Sequence, residues 1–404
     1  MRILLVSDLY APVIGGIEMH VAGLAAELAR RDHEVAVVTL GHSSLPSLQR
    51  EGDVTIHRVD GWTNALQPFY RDGMRRFHPP VPDPGFVRGL ARVARSFKPQ
   101  VVHCNGWSLY SALAGAPRND AKVVVTLHDF SLVCAKKTFV QRGSVCAGPG
   151  PLKCLQCSRE TYGLWKGAAI TTGLRLSSTM HDRIDACIAA SETVASTARA
   201  ALPAEKIVVI PSFIPSPPAD TDGGRPPFLP PDDGYILFVG ALGPHKGVDV
   251  LLRAYESIRT EIPLVLLGTR RHDSPRSYPE GVAVEHDVPH DAVMAAWAHA
   301  GVGVVPSTCP EGFGLVAVEA MASGVPVVAS KLGGLAELVT DRETGLLVPP
   351  GDAAALARAL RELLEDGDLR TALGQGARER AREFTSERTT LQIEALYERV
   401  VAET

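Results

Sequence analysis

A β-α alternation runs twice along this chain, and it is broken once by a segment that no regular element can enter. The first series opens with Ile3–Ser7, an apolar run of strand length, and a loop that ends in Gly15-Gly16. Ile17 to Arg31 has helical spacing, with Ile17, Val21, Leu24, Ala25 and Leu28 on one face, and Glu34–Leu40 reads as the next strand. The series continues through strand 54–59, helix 85–97, strand 100–104, helix 107–116 and strand 122–127. It closes with strand 185–190, helix 192–201 and strand 206–210. From Pro211 to Asp233 eight prolines remove backbone donors and lock φ too often for a helix or strand to survive. The second series has strand 235–239, helix 247–258, strands 263–267 and 281–285, helix 290–299, strand 302–305, helix 315–322 and strand 325–328. Beyond 350 the pattern is helical throughout, and Thr385 and Ser386 are suitable caps for a last helix over 386–402.

Such alternation requires parallel strands with crossover helices on both faces. The expected fold class is α/β, with two Rossmann-like, doubly wound domains facing across a cleft. Their boundaries are 1–210 and 234–384, joined by a linker at 211–233, and the segment 385–404 is expected to pack back on the first domain. Ligands of open parallel sheets sit beyond the carboxyl ends of the strands, which puts the expected site in that cleft.

At 404 residues, 45% hydrophobic and 21% charged, the chain can fill two cores and is not of disordered composition. Its apolar runs, such as Ile3–Val6 and Gly301–Val305, fall far short of the roughly 20 residues that span a bilayer. The N-terminus enters a strand directly and has no cleavable signal pattern, so a soluble, cytoplasmic protein is expected. The net charge of −4 is unevenly spread. Residues 1–210 hold 24 Lys and Arg against 17 Asp and Glu; residues 211–404 hold 17 against 28. The first half is the better host for an anionic acceptor. Arg88, Arg92 and Arg95 share one helix face that suits a weak peripheral contact with anionic lipid, although the stretch 88–95 has no aromatic anchors. No nucleic-acid partner is expected.

The stretch most informative about chemistry runs from Pro306 to Val339. Glu311 precedes Gly312-Phe313-Gly314, and a helix begins at Leu315. Two glycines let the backbone come close to a ligand and aim N–H groups at it, and a helix N-terminus favours negative charge such as phosphate. Glu319 lies eight residues after Glu311, inside the helix, so the two carboxylates do not share one helical face. They suit two separate tasks, such as binding hydroxyls at the two ends of one ligand.

With its two glutamates and intervening glycines, this stretch resembles the signature of the retaining glycosyltransferases of family 4, which have the two-domain GT-B fold. The resemblance extends over nearly the whole chain, including Gly15-Gly16, His128-Asp129 and Gly240 to Gly247. It implies transfer of a sugar from a UDP- or GDP-sugar to an acceptor hydroxyl with retention of anomeric configuration. Glu311 matches the glutamate beside the donor sugar, and Gly312, Phe313 and Gly314 match the backbone that binds sugar hydroxyls. Leu315 and Val316 match the helix start that meets the diphosphate, and Glu319 matches the residue that binds the ribose. Lys246 matches the base that neutralises the leaving diphosphate, His128 a residue at the reacting centre, and Gly16 the loop that approaches donor phosphate and acceptor. Base contacts in this fold are often backbone, here near Gly268 and Val288. The chain departs from the family at Gly240-Ala241-Leu242, where an arginine usually stands in the middle; Arg270 or Arg271 could take its place. Ala241 also leaves open a degenerate, non-enzymatic nucleotide-sugar-binding protein, and an epimerase of the same fold is a further alternative. The acceptor could be a glycan, a lipid-linked sugar or a small natural product. No catalytic metal is expected. Closure about the linker would exclude water and limit donor hydrolysis.

Four of the seven cysteines, Cys134, Cys146, Cys154 and Cys157, lie in a glycine- and proline-rich excursion directly after His128-Asp129. A loop of this length needs something to hold it, and four thiolates around one structural zinc would do so. Disulfides, free thiols and an iron–sulfur cluster are the alternatives.

Overall fold

The computed structural model describes residues 1–13, 15–64, 78–117, 121–214 and 225–403. The expected linker therefore lies partly outside the described residues. The chain divides into two compact units, Met1–Pro215 with Ser386–Thr404, and Ser216–Thr385.

The first unit holds strands β1 (Arg2–Ser7), β2 (Glu34–Leu40), β3 (Leu48–Glu51), β4 (Val54–Val59), β5 (Val101–Asn105), β6 (Lys122–Leu127), β9 (Ala186–Ala189) and β10 (Ile207–Val209) in one sheet. A short hairpin of β7 (Val140–Gln141) and β8 (Ser144–Val145) stands apart. The helices are α1 (Gly16–Arg30), α2 (Pro84–Phe97), α3 (Ser108–Gly115), α4 (Pro151–Tyr162), α5 (Leu164–Ser177) and α6 (Glu192–Ala198). Strand order is β10-β9-β6-β5-β1-β2-β4-β3, parallel except for β3. The order reverses between β1 and β5, the switch point at which such sheets bind ligands. Continuous apolar strands such as Ile3–Val6 are buried on both faces, as a covered parallel sheet requires. β3 has the sequence LQRE; it lacks an apolar run, and its only pairing is antiparallel at the sheet edge, so periodicity did not reveal it.

The second unit holds β11 (Tyr235–Val239), β12 (Leu264–Leu267), β13 (Val282–Glu285), β14 (Ala300–Val305), β15 (Val327–Ser330) and β16 (Gly345–Val348). They form one all-parallel sheet in the order β13-β12-β11-β14-β15-β16, with the reversal between β11 and β14. Its helices are α7 (Val248–Ile258), α8 (His290–His299), α9 (Leu315–Ala322), α10 (Leu335–Leu338), α11 (Ala353–Glu365) and α12 (Gly367–Ala381).

The last helix, α13 (Ser386–Ala402), belongs to the first unit. Ile393, Leu396, Tyr397 and Val400 recur at helical spacing and join the core formed by α1 and the β1 face of the sheet. Glu394 receives Arg31 and His33, each at 2.7 Å. The Tyr397 hydroxyl meets His103 Nδ1 at 2.5 Å inside the core.

The excursion at 134–157 is not a plain loop. Cys154 and Cys157 lie on α4, one turn apart, and α5 follows it directly. Pro151 at the helix start, with its missing donor, is compatible with that helix; reading proline only as a breaker hid it.

Candidate active site

The loops after β11 and β14 meet beyond the carboxyl ends of their strands. Thr308 N donates to His245 O at 3.1 Å, and Thr308 Oγ1 donates to Pro244 O at 2.8 Å. Gly247 makes this possible. Its φ of 73° is left-handed, and a Cβ there would collide with the Pro306 carbonyl. The approach brings Lys246 Nζ to 2.6 Å from Glu311 Oε1, and Ser307 Oγ donates to the same oxygen at 2.5 Å. Burial alone would raise the Glu311 carboxyl, but the Lys246 charge and the hydrogen bonds from Lys246 and Ser307 hold it below the ordinary value. Burial and the positive charges of Lys246 and Arg271 push the His245 imidazole down.

Glu311 is followed by Gly312, Phe313 and Gly314, and the last of these precedes α9 with φ 112°. Phe313 is buried and meets Phe384 edge-on, so its ring belongs to the core of the second unit. Leu315 and Val316 open α9, whose first N–H groups lack helical acceptors. Glu319, further along the same helix, is buried and lies 3.0 Å from His290 Nε2. That hydrogen bond raises the His290 pKa against the effect of burial. His290 was not anticipated from the sequence, because only the fold brings the start of α8 to α9. Gly268 lies where β12 ends, and a Cβ there would strike the Gly240 carbonyl. Val288 lies just after Asp287, which has φ 51°. Of the two arginines considered in place of Ala241, Arg271 reaches the loop: its Cδ would lie 3.3 Å from a Cβ on Gly243. Arg270 instead acts on Tyr278.

In the first unit, Gly15 precedes α1 in extended conformation and Gly16 is its first residue. His128 follows β6, with its Nε2 2.9 Å from Asn105 Oδ1. Burial lowers its pKa to about 4, so the ring is neutral near pH 7. His20 stacks edge-on against it at 4.7 Å between ring centroids. His20 is buried, and neither ring nitrogen has a hydrogen-bond partner. On α1 it had the spacing of a core residue, which concealed it. Asp8, at the end of β1, accepts from the N–H groups of Trp107 and Ser108 and so fixes the start of α3.

None of the seven cysteines forms a disulfide. Cys134, Cys146, Cys154 and Cys157 line one cavity of about 30 Å³. Among the described residues no three His, Cys, Asp or Glu side chains are placed together as ligands of one ion. The sulfurs face backbone instead. Cys146 Sγ donates to Gly148 O at 3.4 Å, Cys157 Sγ lies 3.8 Å from Val140 O, and Gly150 N donates to Cys154 Sγ at 3.3 Å. Burial pushes the Cys134 thiol up, opposed by the N–H groups of Phe139, Lys136 and Lys137.

Two doubly wound units with their polar loops at the switch points define a glycosyltransferase of the GT-B fold. Residues 14–216 match the family model described as Glycosyltransferase Family 4, and residues 225–380 match that of the group 1 glycosyl transferases. The chain belongs to glycosyltransferase family 4. A D-inositol 3-phosphate glycosyltransferase of Corynebacterium efficiens is 39% identical over 178 residues, 40% of this chain and 42% of that protein. A glycogen synthase of Mycobacterium tuberculosis is 29% identical over 94% of this chain and 90% of its own length. Sucrose-phosphate synthase from Thermosynechococcus elongatus superposes with a TM-score of 0.76 at 23% identity, over the whole of both chains. HepE of Anabaena, solved in complex with UDP, superposes at 0.65 with 20% identity, over 98% of this chain and 99% of its own.

Proposed function

We propose that this transferase moves a sugar from a nucleoside-diphosphate sugar, UDP-linked in the first instance, to an acceptor hydroxyl with retention of configuration. The observation that carries the reading is the Lys246–Glu311 pair beside Gly312–Gly314 and the start of α9, at the switch point of the second unit. Lys246 and the α9 N-terminus stabilise the charge that grows on the diphosphate as the bond to the anomeric carbon breaks. Glu311 holds Lys246 in place and accepts from sugar hydroxyls, and Glu319, steadied by His290, accepts from the ribose. Arg271 supplies the positive charge that Ala241 lacks. The acceptor oxygen bonds to the anomeric carbon on the face the diphosphate leaves, and its proton passes to a departing phosphate oxygen. Neutral His128 stands ready as a hydrogen-bonding group in the first unit, the acceptor side, where the basic surplus suits an anionic acceptor. UDP is favoured because structures of this fold were solved with UDP and with UDP-glucose.

A thermal-shift screen against nucleoside diphosphates and their sugars, with EDTA and with magnesium, tests this reading. UDP is expected to raise the melting temperature in EDTA, and acceptor-dependent release of UDP is expected to follow. Conversion of the donor with no acceptor present would favour the epimerase, and binding without turnover would favour the degenerate binding protein.

We further propose that the four thiols leave their backbone partners to hold one structural zinc ion, since four cysteines line one cavity and thiolates are a suitable donor set for zinc. Elemental analysis of purified protein is expected to find about one zinc per chain, lost in Cys154→Ser/Cys157→Ser. Zinc no higher in the wild type than in that variant would overturn the idea.

A further inference from the structure

Among the described residues nine large apolar side chains stand exposed, and four of them fall within one helical hairpin, α4–α5: Leu152, Leu164, Trp165 and Leu176. Leu152 and Trp165, each 83% exposed, are the most exposed of the nine. The hairpin is well packed on its inner side. Ser158 Oγ donates to Gly167 O at 2.8 Å and lies 2.5 Å from Thr171 Oγ1, and a Cβ on Gly167 would collide with the Ser158 backbone. The apolar side chains outside are therefore not left over from a missing inner contact.

Their spacing is that of a helix lying flat on a surface. On α5 the exposed positions 165, 169, 172 and 176 form one stripe, Trp-Ala-Thr-Leu, while Gly167, Gly173, Leu174 and Ser177 are buried. Lys166 and Arg175, both exposed, flank the stripe on either side. On α4, Leu152, Leu155 and Arg159 line an open groove together with Leu164, which precedes Trp165 in the chain. Residues 134–177 contain seven Lys and Arg and a single acidic residue, Glu160, so they carry most of the basic surplus of the first half of the chain. An aromatic and leucine stripe edged by basic side chains matches the layered chemistry of a bilayer surface: rings at the headgroup boundary, apolar tips below and cations at lipid phosphates. Among the described residues no helix is long and apolar enough to cross a membrane, which is consistent with surface contact.

We propose that the α4–α5 hairpin docks this protein on the surface of an anionic lipid bilayer, with Trp165 and Leu176 entering the interface and Arg159, Lys166 and Arg175 facing lipid phosphates. This relocates the expected membrane contact. The arginines of α2 are exposed, but none of the exposed large apolar side chains lies on that helix. The inference holds for any donor and any acceptor.

Flotation of the full chain with vesicles of phosphatidylcholine, alone or with phosphatidylglycerol, provides the test. Binding is expected only with phosphatidylglycerol present and should weaken with salt. Trp165→Ser/Leu176→Ser should lower the bound fraction at least about tenfold, as should Lys166→Glu/Arg175→Glu, with melting temperatures unchanged because all four side chains are exposed. Arg88→Glu/Arg92→Glu should bind like the wild type. The proposal is overturned if the wild type floats equally with neutral vesicles or not at all, or if the hairpin variants float as the wild type does.

Discussion

Alanine in place of Lys246 is expected to lower kcat for sugar transfer by about a hundredfold to a thousandfold, the loss typical when one charge-stabilising donor is removed from a reacting centre. The effect belongs mainly to the transition state, because the diphosphate gains negative charge only as the glycosidic bond breaks. The nucleotide should therefore bind with a smaller loss than kcat shows. The Lys246 and Glu311 side chains are 31% and 17% exposed, so the pair is partly buried and loss of one partner strands the charge of the other. Lys246→Ala also leaves Glu311 with Ser307 and His245 as its remaining charge-stabilising neighbours against burial, so the carboxyl pKa rises. Because Glu311 also accepts from the sugar, the double variant Lys246→Ala/Glu311→Gln is compared with Glu311→Gln alone. If kcat falls because the cation is lost, the double variant lies well below Glu311→Gln; if the stranded carboxylate is at fault, the two are alike. Steady-state transfer assays measure both. A kcat within about threefold of the wild type in Lys246→Ala would remove Lys246 from the mechanism.

The second large effect expected is a loss of stability in mild acid, between pH 6.5 and about pH 4. In the folded chain burial lowers His128 to about 4 and His103 to about 3, from an ordinary value of 6.5. Both rings are neutral when folded, and the unfolded chain takes up their protons first. Their contribution is complete above pH 6.5 and falls as pH drops toward the folded values. His128 alone accounts for a loss on the order of 3 kcal/mol by pH 4. His103 adds to it and bonds to both Thr126 and Tyr397, so its protonation also loosens α13 from the sheet. Glu311 and Glu394, held down by Lys246 and by His33 with Arg31, lose their contribution at lower pH and so leave this window to the histidines. Melting temperature followed by tryptophan fluorescence should not fall from pH 8 to 7, where the raised His290 pKa acts in the stabilising sense, and should fall by several degrees by pH 5. A level curve down to pH 5 would show that these rings are not neutral and buried in solution.

Much of the site is legible in the residues themselves. Glu311, the glycines after it and Glu319 stand in one short stretch, and glycine pairs at a helix start advertise backbone exposed to a ligand. The partners of those carboxylates are not legible in this way. His290 lies 29 residues from Glu319, and Ser307 has the look of an ordinary loop residue until the fold sets its hydroxyl on Glu311. His20 is hidden by its helical spacing, which is the spacing of any core residue. In the cysteine segment, turn residues draw attention to loops, and the helix carrying Cys154 and Cys157 escapes notice because Pro151 opens it instead of ending it.

The sequence by itself determined the parallel body of the two sheets, the break between the series, and the stretch that carries the glutamates. These follow from periodicity and backbone chemistry, which are local and written into neighbouring residues. Only the tertiary structure decided what those residues meet. The contact of the 244–247 turn with Pro306 and Thr308 sets Lys246 on Glu311 across 65 positions. The packing of α13 into the first unit sets Tyr397 on His103 across 294. The outward stripe of the α4–α5 hairpin exists because the inner faces of those helices close on each other. Such pairings depend on which surfaces bury together, a choice made by the whole chain at once.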